Sequence, residues 1–147
     1  MRSALFSGGI AAATFVILGI GAASTRAAEP VMIVRPIESL SFSQKKLGEP
    51  QIAAVKGTPE AEASSIVMKM GRGEFPLHTH TANYQLVVVK GVMKHWDAKG
   101  SRQSAPPMGP GSYWYQPAGK VHGDSCESDE CMWFISFDGK RDFDLAK

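Results

Sequence analysis

The sequence predicts a small all-β domain, a sandwich or barrel of short strands. From Ser65 onward, the runs SIVMKM, PLHTH, YQLVVV, GVMKHW, SYWYQ and CMWFISF are rich in β-branched and aromatic residues, and Gly, Pro, Asn and Asp separate them. Past the first 28 residues, no segment holds a convincing 3.6-residue period over about twelve residues. The chain has 147 residues, one domain's worth, with 44% hydrophobic and 20% charged residues, both ordinary for a globular protein.

The elements follow in order. Residues 1–28 read as a secretory signal peptide: Arg2, then an apolar run from Ala4 to Ala23 broken by Ser7 and Thr14, then small residues. Cleavage is expected between residues 23 and 29; bonds after Ala23 or Ala27 place Gly21 or Thr25 at the −3 position, which suits a small-residue pocket. The alternative is an uncleaved membrane anchor, because the run is about long enough to span a bilayer. Gly8, Gly9, Gly19 and Gly21 and the small-residue ending favour cleavage. The mature chain is then periplasmic or secreted and no longer attached to the membrane. Without Arg2 and Arg26 the remaining 14 basic residues balance the 14 acidic ones, which argues against a nucleic-acid partner.

Residues 29–64 form a lead-in. VMIVR alternates weakly, LSFSQ reads as a short strand, and QIAAVKG reads as a strand ending in a turn at Gly57-Thr58-Pro59. Residues 65–147 carry the barrel core. The aromatic residues Trp96, Tyr113, Trp114, Tyr115 and Trp133 read as core and barrel lining.

Of four histidines, His78 and His80 stand at i and i+2 in PLHTHTA. On a strand that spacing puts both imidazoles on one face, able to converge on one metal ion. Gly91 follows eleven residues after His80, and Gly111 to His122 runs G-x5-P-x-G-x2-H. Together these segments resemble the two motifs of the cupin superfamily, G-x5-H-x-H-x3,4-E-x6-G and G-x5-P-x-G-x2-H-x3-N. The resemblance spans roughly Ser65 to Phe137. In finer texture, Gly57-Thr58-Pro59, His78 to Ala82 with Tyr84, and Gly111 to His122 resemble small exported bacterial cupin-domain proteins of mostly unknown activity. The implied fold is a single-domain cupin-type β-barrel: a double-stranded β-helix, or RmlC-like jelly roll.

The sequence departs from the motifs at three places. Tyr84 and Gln85 occupy the positions of the usual ligand glutamate, Cys126 stands at the terminal Asn, and Arg72, flanked by Gly71 and Gly73, stands at the opening glycine. The resemblance implies a divalent transition metal on His78, His80 and His122. Three neutral imidazoles form a facial set with open positions, open to iron, manganese, nickel or zinc. Gln85 is a candidate fourth ligand through its amide oxygen. Tyr84 is a candidate catalytic residue, as a phenolate ligand or as a hydrogen-bond donor. Asp124 is a candidate acceptor for an imidazole N–H or a base near bound substrate, or else the start of a turn. With no carboxylate in the ligand set, the ion's charge favours an anionic substrate. His95 reads as a strand-surface histidine outside the site.

Cys126 and Cys131, in DSCESDECMWF, flank a polar run that reads as a hairpin loop, and an exported chain favours a disulfide across its base. The functional expectation is a metal-dependent enzyme acting on a small molecule. Dioxygenase, lyase and isomerase chemistries occur on cupin folds. The alternative is a non-catalytic ligand-binding or sensing module. The resemblance also implies a homodimer paired through outer strands. For export, N-terminal sequencing of the secreted protein should begin between residues 24 and 29; recovery of intact Met1 in the membrane fraction would establish the anchor instead.

Overall fold

The computed structural model describes residues 31–43 and 49–147. The expected signal peptide lies outside the described residues. Residues 31–36 form no strand, and Ile37–Ser39 form one 3-10 turn. The expected strand at LSFSQ is absent over residues 40–43, while its last residue is not described. Ser43 instead meets one strand residue twice: its N–H donates to the Ile52 carbonyl at 2.9 Å and its Oγ accepts from the Ile52 N–H at 3.1 Å.

The strands are β1 (Gln51–Lys56), β2 (Ser64–Met70), β3 (Gly73–Thr79), β4 (Tyr84–Lys90), β5 (Met93–Asp97), β6 (Tyr113–Gln116), β7 (His122–Cys126), β8 (Cys131–Phe137) and β9 (Asp144–Leu145). They form two antiparallel sheets, one in the order β1-β2-β8-β4-β6 and the other β5-β7-β3-β9. The expected lead-in therefore supplies β1 to the larger sheet.

Alternation decides which side chains enter the core. Along β4, Tyr84, Leu86 and Val88 are buried while Gln85, Val87 and Val89 are exposed, the period of two that a strand with one wet face requires. Ile66 and Met68 of β2, Trp133 and Ile135 of β8, and Met93 of β5 join them in one core. Each fully buried large apolar side chain contributes about 1.5–3 kcal/mol. Strand β7 is buried along its whole length because it lies between β5 and β3 with its inner face against the core. The same alternation corrects part of the aromatic reading. Trp96, Trp114 and Trp133 are buried, but Tyr113 and Tyr115 flank Trp114 on the opposite face of β6 and are exposed.

The cysteine segment is also not a hairpin. Strand β7 pairs with β3 and β5, whereas β8 pairs with β2 and β4. The chain crosses between sheets over the residues from Cys126 to Cys131, whose Cα atoms lie 5.8 Å apart, and the bonded sulfur pair ties the two sheets together. Both cysteines are fully buried and neither thiol is free. Closing so short a loop contributes about 2 kcal/mol in the chain-entropy model. Mass spectrometry of unreduced mature protein should find one linked peptide, and replacing both cysteines by serine should lower the unfolding free energy by about that amount or more. Two readily alkylated thiols in native protein would contradict this.

Candidate metal centre

Strand β3 carries an irregularity that sets up the site. Phe75 pairs with Asp124 and His78 with His122, so three steps on β3 oppose two on β7. Pro76 lies inside this bulge, where its missing N–H costs no ladder bond. The Pro76 carbonyl is turned to a new use: the His78 Nδ1–H donates to it at 2.7 Å. His78 faces His122 across the two strands, ring centroids 4.1 Å apart. His80 follows just past the end of β3, its ring 4.9 Å from that of His78.

The second motif supplies the third histidine. Gly119 adopts φ 69°, a left-handed conformation that favours glycine. The turn it makes is pinned to the first motif: the Gly119 N–H donates to the His80 carbonyl at 2.8 Å and the Ala118 N–H to Asn83 Oδ1 at 2.9 Å. The Lys120 carbonyl leaving that turn accepts the His122 Nδ1–H at 3.0 Å and the Gln116 amide at 2.8 Å. Gly123 completes the geometry, because a Cβ there would come within 2.6 Å of the Trp96 indole.

All three histidines share one arrangement. His78, His80 and His122 direct Nδ1 at the carbonyls of Pro76, Asp142 and Lys120 respectively. A carbonyl only accepts, so each Nδ1 carries the proton and each Nε2 presents a lone pair. One ligand nitrogen from each residue lies within 4.8 Å of the others. This donor set fits a divalent transition metal: neutral imidazoles, tautomers fixed by outer hydrogen bonds, gathered in one cluster.

Tyr84 and Asp124 join the cluster and Gln85 does not. The Tyr84 hydroxyl donates to His122 Nε2 at 3.1 Å and accepts from the Trp114 indole N–H at 3.3 Å. Burial, reinforced by the charge of Asp124, raises the Tyr84 pKa well above its ordinary value, and its hydrogen bonds are those of a phenol donor. Gln85 is its neighbour on β4 and so points to the opposite, solvent face, where its Oε1 meets the Tyr113 hydroxyl at 3.5 Å. It is no ligand. The carboxylate that the first motif lacks comes from β7: Asp124 Oδ2 lies 3.9 Å from His78 Nε2 and 3.8 Å from His122 Nε2. Asp124 begins no turn, since it sits inside β7 and is buried. With that carboxylate in place, the ion's charge is partly balanced, and the charge argument for an anionic substrate loses its basis.

His95 corrects the sequence reading. It is the register partner of Asp124 across β5 and β7, its Nδ1–H donates to Asp124 Oδ1 at 2.5 Å, and its ring stacks on Trp114 at 4.9 Å. Three residues near the C-terminus also contribute. The Asp142 carbonyl holds His80, Phe143 stacks on His78 at 4.2 Å, and Arg141 lines the cavity beside the cluster. No local pattern marks them, because their partners lie some sixty residues away. The cavity has a volume of about 410 Å³, and its wall is apolar apart from His78, His80, Tyr84, Asp124, Arg141 and Glu49.

The family described as "Domain of unknown function (DUF4437)" matches residues 46–143, more than half of the chain. The chain belongs to that family. The chain is 33% identical over 92 residues to the DNA damage-repair/toleration protein DRT102 of Arabidopsis thaliana, covering 63% of this chain and 29% of that one. Three solved structures share its fold. KdgF from Halomonas sp. matches with a TM-score of 0.62 at 17% identity, over 78% of this chain and 97% of that one. An RmlC-like cupin from Shewanella frigidimarina matches at 0.60 and 16%, over 74% and 91%. An acetylacetone dioxygenase from Acinetobacter johnsonii matches at 0.56 and 15%, over 76% of each. At these identities the likeness is one of fold: this DUF4437 domain has the double-stranded β-helix fold of the RmlC-like cupins.

Burial keeps the three histidines neutral. The pKa of His122 falls to about 4, and those of His78 and His80 fall below the ordinary value, in each case chiefly because burial penalises the charged ring. Proton competition for an ion therefore starts below the pH of about 6 that free histidine would set. In the unfolded chain these rings titrate near 6.5, so between that pH and about 4 the unfolded state binds more protons, and stability falls as pH falls. With chelator present, the melting temperature should drop between pH 6.5 and 5, above the carboxylate range, and the drop should shrink in His122→Gln. A flat profile over that interval would contradict the buried neutral cluster.

Proposed function

We propose that this chain is an exported enzyme that uses one divalent first-row transition metal (iron, manganese, nickel or zinc) to act on a small molecule. The carrying observation is the common orientation of His78, His80 and His122, each with Nδ1 tied to a carbonyl. Such an arrangement costs two buried imidazoles and one half-buried imidazole much of their water and is explained by a ligand for the three lone pairs. An ion bound there supplies Lewis acidity to an oxygen-bearing ligand.

The chain's own groups divide the remaining tasks. Asp124 has one oxygen held by His95 and the other facing the histidines, so it can serve as a further ligand or take a proton from a bound molecule. Tyr84 keeps its proton and lines the cavity; when the His122 lone pair is engaged elsewhere, its hydroxyl is released to donate to a bound molecule. The apolar wall excludes water from the polar cluster, which strengthens each of these hydrogen bonds.

Elemental analysis of mature protein purified without chelator tests this. The wild type should hold about one transition-metal ion per chain. His80→Ala and His122→Ala should each lower metal affinity at least about tenfold, with circular dichroism unchanged. Gln85→Ala should retain full metal content. Full retention in both histidine variants would overturn the metal site, and a metal-free, folded wild type would favour the ligand-binding module.

A further inference from the structure

Arg141 has no part in the metal chemistry. Its backbone N–H donates to the Pro59 carbonyl at 2.7 Å, which anchors the residue in place. Its side chain lines the cavity, 22% exposed, and its Nε is buried with no hydrogen-bond partner among the described residues. Its one ion-pair partner among the described residues is Glu60, which is 71% exposed and 3.9 Å away, beyond hydrogen-bond distance. Glu49, an exposed residue that also lines the cavity, makes no ion pair with it among the described residues.

A guanidinium held this way is under-satisfied. A buried donor without a partner costs free energy that an anionic ligand recovers, and the planar fork of arginine matches a carboxylate through two parallel bonds. The surrounding wall includes Ile52, Met68, Phe75, Leu86, Trp133 and Phe137. The cavity thus combines two polar features, the histidine cluster and Arg141, with an apolar wall. One short segment links them: Arg141 precedes the residue whose carbonyl holds His80, and Phe143 beyond it stacks on His78.

We infer that Arg141 is the anion-recognising residue of the cavity, and that the substrate class is a monocarboxylate with an apolar or aromatic body. The carboxylate pairs with the guanidinium and the body lies along the apolar wall beside the histidine cluster. The volume of about 410 Å³ suits a molecule of that size. This inference rests on the cavity being the substrate site of the proposed enzyme, but it needs no ion for the anion to bind.

Isothermal titration calorimetry with 3-phenylpropanoate and its uncharged amide, on the purified protein both as isolated and after chelation, tests it. The wild type should bind the carboxylate at least about tenfold more tightly than the amide in both metal states. Arg141→Met should abolish the preference and leave amide affinity unchanged; Arg141→Lys should keep part of it. Melting temperature checks that both variants fold, and the backbone bond to Pro59 does not depend on the side chain. Equal affinities in the wild type, or no binding of either probe, would overturn the inference. So would a preference that survives in Arg141→Met and disappears on chelation, which would place the carboxylate on the ion and uphold the metal site. An Arg141-dependent preference in protein that holds no metal would uphold the inference while ending the metal reading.

Discussion

Three backbone carbonyls decide what this site can be. Pro76, Lys120 and Asp142 each take the proton-bearing nitrogen of one histidine, and this leaves three lone pairs in one cluster. Without those bonds each imidazole would be free to choose its tautomer and rotate, and burial alone would not gather the acceptors. The carbonyls are available because none of the three is spent on a regular ladder. One sits in the β3 bulge, one leaves the Pro117–Gly119 turn and one lies just before β9. Irregular backbone, placed where the sheet tolerates it, is the means by which a plain two-sheet core acquires directed chemistry.

The rest of the architecture holds these irregular points in register. His78 and His122 sit on adjacent strands of the smaller sheet, Tyr84 comes from the larger sheet, and the Cys126–Cys131 bond ties the two sheets. The turn of the second motif is bonded directly to the corner of the first through His80 and Asn83. A displacement of either motif is therefore felt by both, and the ligand cluster moves as one unit with the core packing behind it.

The carboxylate balance of the site has changed its address. Position 84 carries a tyrosine, which keeps its proton because it is buried, and position 85 faces solvent. Asp124, two residues after His122 on the same face of β7, brings negative charge to the cluster from a different strand. His95 restrains it from β5. Three strands of one sheet thus provide two of the clustered histidines, a carboxylate and its restraint side by side.

Much of this was legible in the sequence because it is written in local spacing. Alternation along YQLVVV and CMWFISF marks strands and their inward faces, the i, i+2 histidine pair marks a shared face, and Pro117 with Gly119 marks the turn that delivers His122. What local spacing could not show is which strand lies beside which. Strand pairing placed Cys126 and Cys131 on different sheets, put His95 opposite Asp124, and brought Arg141, Asp142 and Phe143 to the histidines. The same limit misplaced Gln85, whose neighbour Tyr84 took the inward position by parity once the register was set. The sequence by itself determined the period-two faces, the His78–His80 pair and the turn that delivers His122, because those depend on residues a few positions apart; the resemblance of its two motifs to cupins joined the three histidines. Only the tertiary structure decided the tautomers, the counter-charge and the unpaired guanidinium in the cavity, because each depends on register and on contacts between residues distant in the chain.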